Sequence, residues 1–259
     1  MVNSAFEAME MEAVYAPLNV SPGALAETFD RLKQQGVKGF NVTMPHKTSI
    51  LQLLDSSDDT SSKIGAVNTV SRERASYIGY NTDVEGIVQP LRSRGVERID
   101  RAAVVGTGGA ARAFCAAMAK MKCKGVTVVS RDAKMAGGFV SQMTASFPSI
   151  EFVTSDFGGP INGEFELVFN ASPIGTRGVP LPRQVGAMVE SHQLVFDAVY
   201  SPNETELIKL AESRGSRTIR GHEMLLEQAI GAIRIWTGRP PPAEVMRKAL
   251  IHSLEVTAS

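Results

Sequence analysis

The sequence predicts an α/β protein of two domains with a cleft between them. Apolar strand-like segments alternate with amphipathic helical segments along the chain, and a glycine-rich turn at Gly106 follows one such strand and opens a helix. The length of 259 residues also fits two modest domains, since domains usually hold roughly 100–200 residues.

Composition and charge exclude several classes of protein. The 27 basic and 27 acidic residues cancel, so the chain has no overall positive field that would gather nucleic acid or an anionic membrane. No segment reaches the roughly 18 consecutive apolar residues that cross a bilayer, and the first residues lack the features of a secretory signal. We therefore expect a cytoplasmic protein that binds neither nucleic acid nor membrane. Cys115 and Cys123, whose spacing matches neither a zinc pair nor a redox pair, fit that compartment.

The first domain is predicted over residues 1–97, up to a polar joint at residues 96–100. Its expected elements are a short helix (3–13), an extended run (14–20), a helix (22–35), a strand (37–42), a helix that Pro45 begins, a hairpin-like pair of strands (66–70 and 75–80) and a connecting helix (84–95). Because strands alternate with helices before the hairpin-like pair, we expect the strands at 14–20 and 37–42 to pair in parallel.

The second half opens with the strongest local pattern. Residues 102–105 form a short apolar strand, Gly106 and Gly108 lie in the turn after it, and an alanine-rich helix runs to about Lys122. Glycines at these positions let the backbone turn tightly and approach a pyrophosphate, while the helix N-terminus supplies free N–H donors. Residues 98–220 are therefore predicted to form a Rossmann-type, doubly wound nucleotide-binding domain.

Further strands are expected after this entry unit. They are predicted over residues 126–129, 151–159, 165–171 and 194–200, and the helices from about 221 to 259 are expected to pack back on the first domain.

The residues after the strand predicted at 126–129 bear on the choice of nucleotide. An acidic residue there accepts hydrogen bonds from a ribose diol, whereas arginine there binds a 2′-phosphate. The run Ser130–Lys134 contains both signs of charge. Arg131 directly after the strand and Lys134 one turn later favour NADP, while Asp132 argues against it, since a carboxylate repels a phosphate.

Six short motifs together resemble the shikimate dehydrogenase family over nearly the whole chain. In chain order they are Asn41-Val42-Thr43-Met44-Pro45-His46-Lys47, Gly65-Ala66-Val67-Asn68-Thr69, Asn81-Thr82-Asp83, Gly106-Thr107-Gly108-Gly109-Ala110-Ala111-Arg112, Asp197-Ala198-Val199-Tyr200-Ser201-Pro202 and Met224-Leu225-Leu226-Glu227-Gln228. The resemblance implies NADP-linked interconversion of 3-dehydroshikimate and shikimate, in the pathway toward aromatic amino acids.

The resemblance also implies roles for individual residues. Lys47 and Asp83 match the family's catalytic pair, with Lys47 as proton donor and acceptor and Asp83 holding the ammonium. An Asp at this position also suits a helix N-cap. Histidine is a common catalytic base, but His46 neighbours the matching lysine rather than replacing it, so we interpret it as structural.

The remaining matches divide between substrate and cofactor, and none implies a metal. Those for the substrate are Thr43, Asn68, Tyr200 and Gln228, polar side chains that suit a hydroxylated ring. Those for the cofactor are Gly106, Gly108, Gly109, Ala110, Ser130, Arg131, Lys134, Ser172, Gly221 and Met224.

One part of the family's pattern is not found. Members begin with a strand and a Ser-x-Ser turn that holds the substrate carboxylate, whereas this chain starts at the helix that follows, near Ser4. Each hydrogen bond to a charged group contributes about 1.5–3 kcal/mol, so the loss of two would weaken carboxylate binding at least about a hundredfold. We expect either an amino-terminally shortened form or a sheet edge that another subunit covers.

Three functions stay open at this point. The first is an NADP-dependent shikimate dehydrogenase, monomeric or homodimeric, with quinate or NAD as alternative substrate or cofactor. The second is a related dehydrogenase that acts on another cyclic polyol or on a folate. The third is a binding protein that kept the fold without the activity, since a fold alone does not fix a function.

Overall fold

The computed structural model describes residues 1–258. The chain divides into two compact units, Met1–Thr82 with the residues from Leu226 onward, and Asp83–Leu225. In chain order the helices and strands are α1 (Val2–Ala8), α2 (Leu25–Gln34), β1 (Gly39–Asn41), β2 (Ser56–Ser57), α3 (Asp59–Ile64), β3 (Thr69–Glu73), β4 (Ser76–Tyr80), α4 (Asp83–Arg92), β5 (Arg101–Val105), α5 (Gly109–Lys120), β6 (Gly125–Val129), α6 (Ala133–Ser146), β7 (Glu151–Ser155), β8 (Leu167–Asn170), α7 (Arg183–Ala187), β9 (Leu194–Asp197), α8 (Glu206–Ser213), β10 (Arg217–Ile219), α9 (Gly221–Thr237) and α10 (Ala243–Ala258). None of the helices in the described part of the chain is long and apolar enough to cross a membrane.

The first unit holds a four-stranded sheet in the order β1-β3-β4-β2. The predicted hairpin is confirmed as β3 and β4, which pair antiparallel; Glu73 pairs with Ser76, so the turn between them has two residues. The expectation of parallel pairing is wrong for β1, which pairs antiparallel with β3, a strand distant in sequence, whereas β2 pairs parallel with β4.

Two predicted elements of this unit do not form. The run over residues 14–20 is not a strand; the backbone N–H and C=O of Tyr15 bond instead to the side chain of Asn3, at 2.7 and 2.9 Å. After Pro45 the chain makes a turn and a 3-10 helix, Ser49–Leu53, rather than an α-helix. Here the Lys47 carbonyl accepts the Val67 N–H at 2.8 Å, so the start of the expected helix is bonded to another segment.

Helices α2 and α9 cover the sheet of the first unit. Phe29 of α2 packs edge-to-face on Tyr77 of β4, with ring centroids 5.4 Å apart. On α9, the Trp236 indole N–H donates to the Val70 carbonyl at 2.9 Å, and a side chain on Gly39 would overlap the Trp236 ring. This packing fixes α9, and with it Gln228, against the first unit's own strands.

The second unit is a parallel sheet of six strands in the order β10-β9-β8-β5-β6-β7. Its four inner strands, β5, β6, β8 and β9, are apolar and mostly buried, as is typical of a parallel sheet with both faces covered. The chain moves outward from β5 through β6 and β7 on one side and through β8, β9 and β10 on the other. The predicted doubly wound domain is confirmed, and ligands of such sheets bind where the order reverses, at the carboxyl ends of β5 and its neighbours.

Candidate active site

The turn between β5 and α5 has the backbone geometry that an anion needs. Gly106 adopts a φ of +108°, a region that favours glycine, and its N–H donates to the Val129 carbonyl at 2.9 Å. Gly108 is the N-cap residue of α5, no side chain caps this helix, and a Cβ built on Gly108 would meet nothing within 4 Å. The first N–H groups of α5 therefore have no side-chain acceptor, and the space beside Gly108 is open.

The residues after β6 separate the two signs of charge that the sequence places side by side. Asp132 is the N-cap of α6, where its carboxylate accepts the Met135 N–H at 2.9 Å. Arg131 and Lys134 are exposed, and neither forms an ion pair with another described residue. The Asp132 carboxylate is thus bonded to the backbone at the start of α6. This bond removes the main argument against a phosphate beside Arg131, which was repulsion by Asp132.

Ser172 lies in the loop after β8, beside the glycine turn. Its hydroxyl donates to the Asn170 side-chain oxygen at 2.7 Å, and its N–H donates to the same oxygen at 3.1 Å. A Cβ on Gly106 would lie 3.3 Å from the Ser172 Cβ, so this serine and the turn are neighbours.

Asp197, the last residue of β9, carries a buried carboxylate with three hydrogen-bond donors. It is 0% exposed and accepts bonds from Asn170 Nδ2 at 2.9 Å, from the Val199 N–H at 3.0 Å and from Thr205 Oγ1 at 2.5 Å. Burial raises the pKa of Asp197 to about 6, against these bonds, which lower it. The sequence indicated no role for this residue.

Three further predicted residues follow in the same unit. Tyr200 is 48% exposed, three residues beyond the end of β9. Gly221 begins α9, and a side chain on it would overlap the Val199 carbonyl. Met224, one turn into α9, is buried.

In the first unit the side chain of Asn68 is the centre of a buried polar cluster. Asn68 is 2% exposed, and its Oδ1 accepts the Thr82 N–H at 2.7 Å and the Thr69 hydroxyl at 3.0 Å. Its Nδ2 donates to Thr82 Oγ1 at 3.0 Å and to Gln228 Oε1 at 3.3 Å. A backbone N–H only donates, so the bond from Thr82 fixes which end of the amide faces Gln228.

A second layer of bonds holds this cluster from β1. Asn41 Nδ2 donates to the Asn68 carbonyl at 3.2 Å and to Thr69 Oγ1 at 3.0 Å. Its Oδ1 accepts the Tyr15 hydroxyl at 2.9 Å. Residues from four separate segments of the first unit therefore determine the position of Asn68.

The other predicted residues lie near or beside these segments. Thr43 is exposed in the turn after β1, and Lys47 is half-buried, its carbonyl tied to Val67, the neighbour of Asn68. His46 is buried, and its Nε2 lies 2.8 Å from the Val20 carbonyl, in keeping with a structural role. Asp83 is the first residue of α4, directly after Thr82, and is buried.

Sequence reasoning missed the supporting residues of both units. The motifs contained Asn41, Thr69, Thr82 and Asp197, but none of these four residues was assigned a role from the sequence. One signal was present in the repeated Asn-Thr pair, Asn68-Thr69 and Asn81-Thr82, whose threonine hydroxyls lie 3.1 Å apart in the structure.

Comparison with known families matches both ends of the chain. Residues 1–70 match the family described as the shikimate dehydrogenase substrate binding domain. Residues 221–251 match the shikimate 5'-dehydrogenase C-terminal domain.

Individual relatives match along nearly the full length. The shikimate dehydrogenase (NADP(+)) of Nitrosopumilus maritimus is 34% identical over 250 residues, which are 96% of this chain and 91% of the relative. A crystal structure of a shikimate dehydrogenase in complex with NADP+ superposes with a TM-score of 0.88 at 32% identity, covering 97% of this chain and 89% of that one. The Thermus thermophilus shikimate 5-dehydrogenase with NADP(H) and shikimate gives a TM-score of 0.84 at 28% identity, covering 97% and 92%.

The buried Asp197 carboxyl predicts a pH dependence of stability. Because burial raises its pKa from 3.8 to about 6, the folded chain holds this proton more tightly than the unfolded chain does. Its contribution to stability is complete below the unfolded pKa and is lost as the pH rises through the folded pKa. Between about pH 4.5 and 7.5, the free energy of unfolding of the protein minus that of Asp197→Asn should fall by about 2 kcal/mol.

Urea unfolding at several pH values measures this difference. The Asn variant has no proton to lose at this position, so the other titrating groups cancel in the subtraction. A difference that stays flat over this range, or rises with pH, would show that the Asp197 pKa is not raised by folding.

Proposed function

The chain belongs to the shikimate dehydrogenase family, and we propose that it interconverts 3-dehydroshikimate and shikimate with NADP, using Lys47 and Asp83 as its catalytic pair. The observation that carries the substrate proposal is the Asn68 side chain, buried and bonded to Gln228. Two amides held together in this way present fixed donors and acceptors, which suit a ring with several hydroxyl groups.

The residues of the second unit fit NADP. The uncapped start of α5 suits the pyrophosphate, because its N–H groups and the helix dipole favour negative charge. Arg131 and Lys134, exposed and without ion pairs among the described residues, suit the 2′-phosphate. The bound nucleotide supplies the carbon-bound hydrogen and the electron pair that the ketone gains.

Lys47 has the chemistry to manage the substrate oxygen. Reduction of a ketone develops negative charge on that oxygen, which an ammonium stabilises before it delivers the proton. In the reverse direction the neutral amine accepts the hydroxyl proton. Asp83 would orient the ammonium through its opposite charge and accept a hydrogen bond from the neighbouring hydroxyl.

The remaining predicted substrate residues would contact the other groups of the ring. Asn68 and Gln228 would bind hydroxyls from the cluster described above, and Thr43 would add a hydroxyl from the turn that precedes Lys47. Tyr200, exposed after β9, would contact substrate and nicotinamide. A site that hydrogen-bonds hydroxyls in this way discriminates strongly against analogues that lack them.

Replacement of Lys47 tests the proposed reaction. Wild-type protein should form NADPH from shikimate and NADP, measured by absorbance, and Lys47→Ala should lower turnover by roughly 10²–10⁴, the usual scale for a positioned proton donor. NADPH binding should survive this change. Lys63→Ala is the matched control, since Lys63 is an exposed lysine of the same unit that pairs with Asp59.

Parallel assays with quinate and with NAD separate the alternatives. Reduction of nucleotide with quinate but not with shikimate would overturn the substrate assignment. A wild-type protein that binds NADPH but reduces no nucleotide with either substrate would be a binding protein rather than an enzyme.

Replacement of Arg131 tests the cofactor assignment. Arg131→Ala removes a planar, charged partner of the 2′-phosphate, so KM for NADP should rise by roughly 10–100-fold, since charged hydrogen bonds contribute about 1.5–3 kcal/mol. KM for NAD should change little. Arg98→Ala is the control, because Arg98 is also exposed but pairs with Asp100. An equal rise for NADP and NAD would mean that Arg131 does not contact the phosphate.

A further inference from the structure

The reaction described above uses no atom of Asp197, although this carboxylate is fully buried at the carboxyl edge of the second unit's sheet. Removal of a carboxylate from water is costly unless its oxygens are bonded, and this one accepts bonds from three donors. The three donors come from three different segments, the last residue of β8, the loop after β9 and the N-cap of α8.

Toward β8, Asp197 helps to orient a second amide. An ionised carboxylate only accepts, so the Asn170 Nδ2 points to it, at 2.9 Å, and the same Nδ2 donates to the Ile174 carbonyl at 2.9 Å. The Asn170 oxygen then points the other way and accepts both the hydroxyl and the N–H of Ser172. Asp197 thus supports, through Asn170, the position of Ser172, which lies against Gly106 in the glycine turn.

Toward β9, the same carboxylate oxygen accepts the Val199 N–H at 3.0 Å. This bond fixes the backbone immediately before Tyr200. Gly221 packs on that backbone so closely that a side chain would overlap the Val199 carbonyl. The start of α9 therefore rests on a segment that Asp197 holds.

Toward α8, the other carboxylate oxygen accepts the Thr205 hydroxyl at 2.5 Å. Thr205 caps α8 by accepting the Ile208 N–H at 3.3 Å. A Cβ on Gly175 would lie 2.9 Å from the Thr205 Cβ, so the loop after β8 packs against this residue as well. The carboxylate is therefore bonded to Asn170, which precedes the loop that contains Ser172, and to Thr205, which packs against Gly175 of the same loop.

From these contacts we infer that Asp197 is a positioning residue for NADP: through Asn170 and Val199 it orders the loops that present Ser172, Tyr200 and Gly221 to the nucleotide. This inference rests on the proposed function for the identity of the nucleotide. In this role Asp197 touches neither the nucleotide nor the substrate. It acts on nucleotide binding through hydrogen bonds within the second unit.

Two substitutions at the same position separate positioning from charge. Asp197→Asn can still accept from Asn170 and Val199 through its oxygen while its NH₂ donates to Thr205, so NADPH affinity should stay within about threefold. Asp197→Leu has a similar size but no acceptor, so Asn170 Nδ2 keeps its bond to the Ile174 carbonyl and loses the one to residue 197, which loosens the amide. Its NADPH Kd should rise roughly 10–100-fold, since small misplacements of binding groups have effects of this size.

The measurements are NADPH Kd by fluorescence titration without substrate, the KM values for NADP and shikimate, and the urea midpoint. Leu207→Ala is the stability control, because Leu207 is fully buried in α8 and makes no hydrogen bond to Asp197. It should lower the urea midpoint yet leave the NADPH Kd within about twofold. KM for shikimate should stay within about threefold of the wild-type value in every variant that has Asp or Asn at position 197.

If Asp197→Leu does not fold, Asn170→Ala replaces it, since it cuts the link to Ser172 and leaves the bonds to Val199 and Thr205. Wild-type NADPH affinity in Asp197→Leu or in Asn170→Ala would overturn the inference, as would an equal loss in Leu207→Ala. Failure of the proposed function looks different: wild-type protein would bind NADPH, with the variant effects intact, and turn over no shikimate.

Discussion

The bond from the Thr82 backbone N–H to Asn68 Oδ1, 2.7 Å long, is the constraint on which the substrate side of the molecule depends. It determines that Asn68 Nδ2 faces Gln228, and it joins the segment after β4 to the segment before β3 at the residue that precedes Asp83. Asn41 and Thr69 strengthen the same arrangement from β1 and β3. A buried amide that is bonded at both ends has one orientation, and a ligand that meets it encounters donors and acceptors already in place.

Each unit contains an asparagine side chain whose amide is oriented by hydrogen bonds. In the first unit a backbone N–H, which can only donate, orients the oxygen of Asn68; in the second a carboxylate and the Ile174 carbonyl, which only accept, orient the NH₂ of Asn170. In each case the other end of the amide is directed to a residue proposed to bind a ligand, Gln228 in one and Ser172 in the other. The residues proposed to bind ligands are therefore oriented by others, Thr82 in the first unit and Asn170 and Asp197 in the second.

The sequence allowed prediction of those parts that local physics decides. The strand, glycine turn and helix from β5 to α5 were predicted correctly because turn geometry and helix periodicity are set within a few residues. The run at 14–20, the helix after Pro45 and parallel pairing in the first sheet were wrong, because each depends on contacts with distant segments, such as Asn3 with Tyr15 and Val67 with Lys47. Asp132 and Asp197 also lay beyond prediction, since whether a carboxylate caps a helix or is buried under three donors is a tertiary property.

The proposed function requires Asn68 and Gln228 to bind the substrate as one unit. A double-mutant cycle of Asn68→Ala and Gln228→Ala, read out as kcat/KM for shikimate at saturating NADP, tests it directly. If the amides orient each other, each single change should remove most of the benefit of the pair, and the double variant should lose less than the two singles combined, with a coupling of about 0.5–3 kcal/mol. Additive losses, or a kcat/KM for shikimate that either single change leaves untouched, would contradict the account.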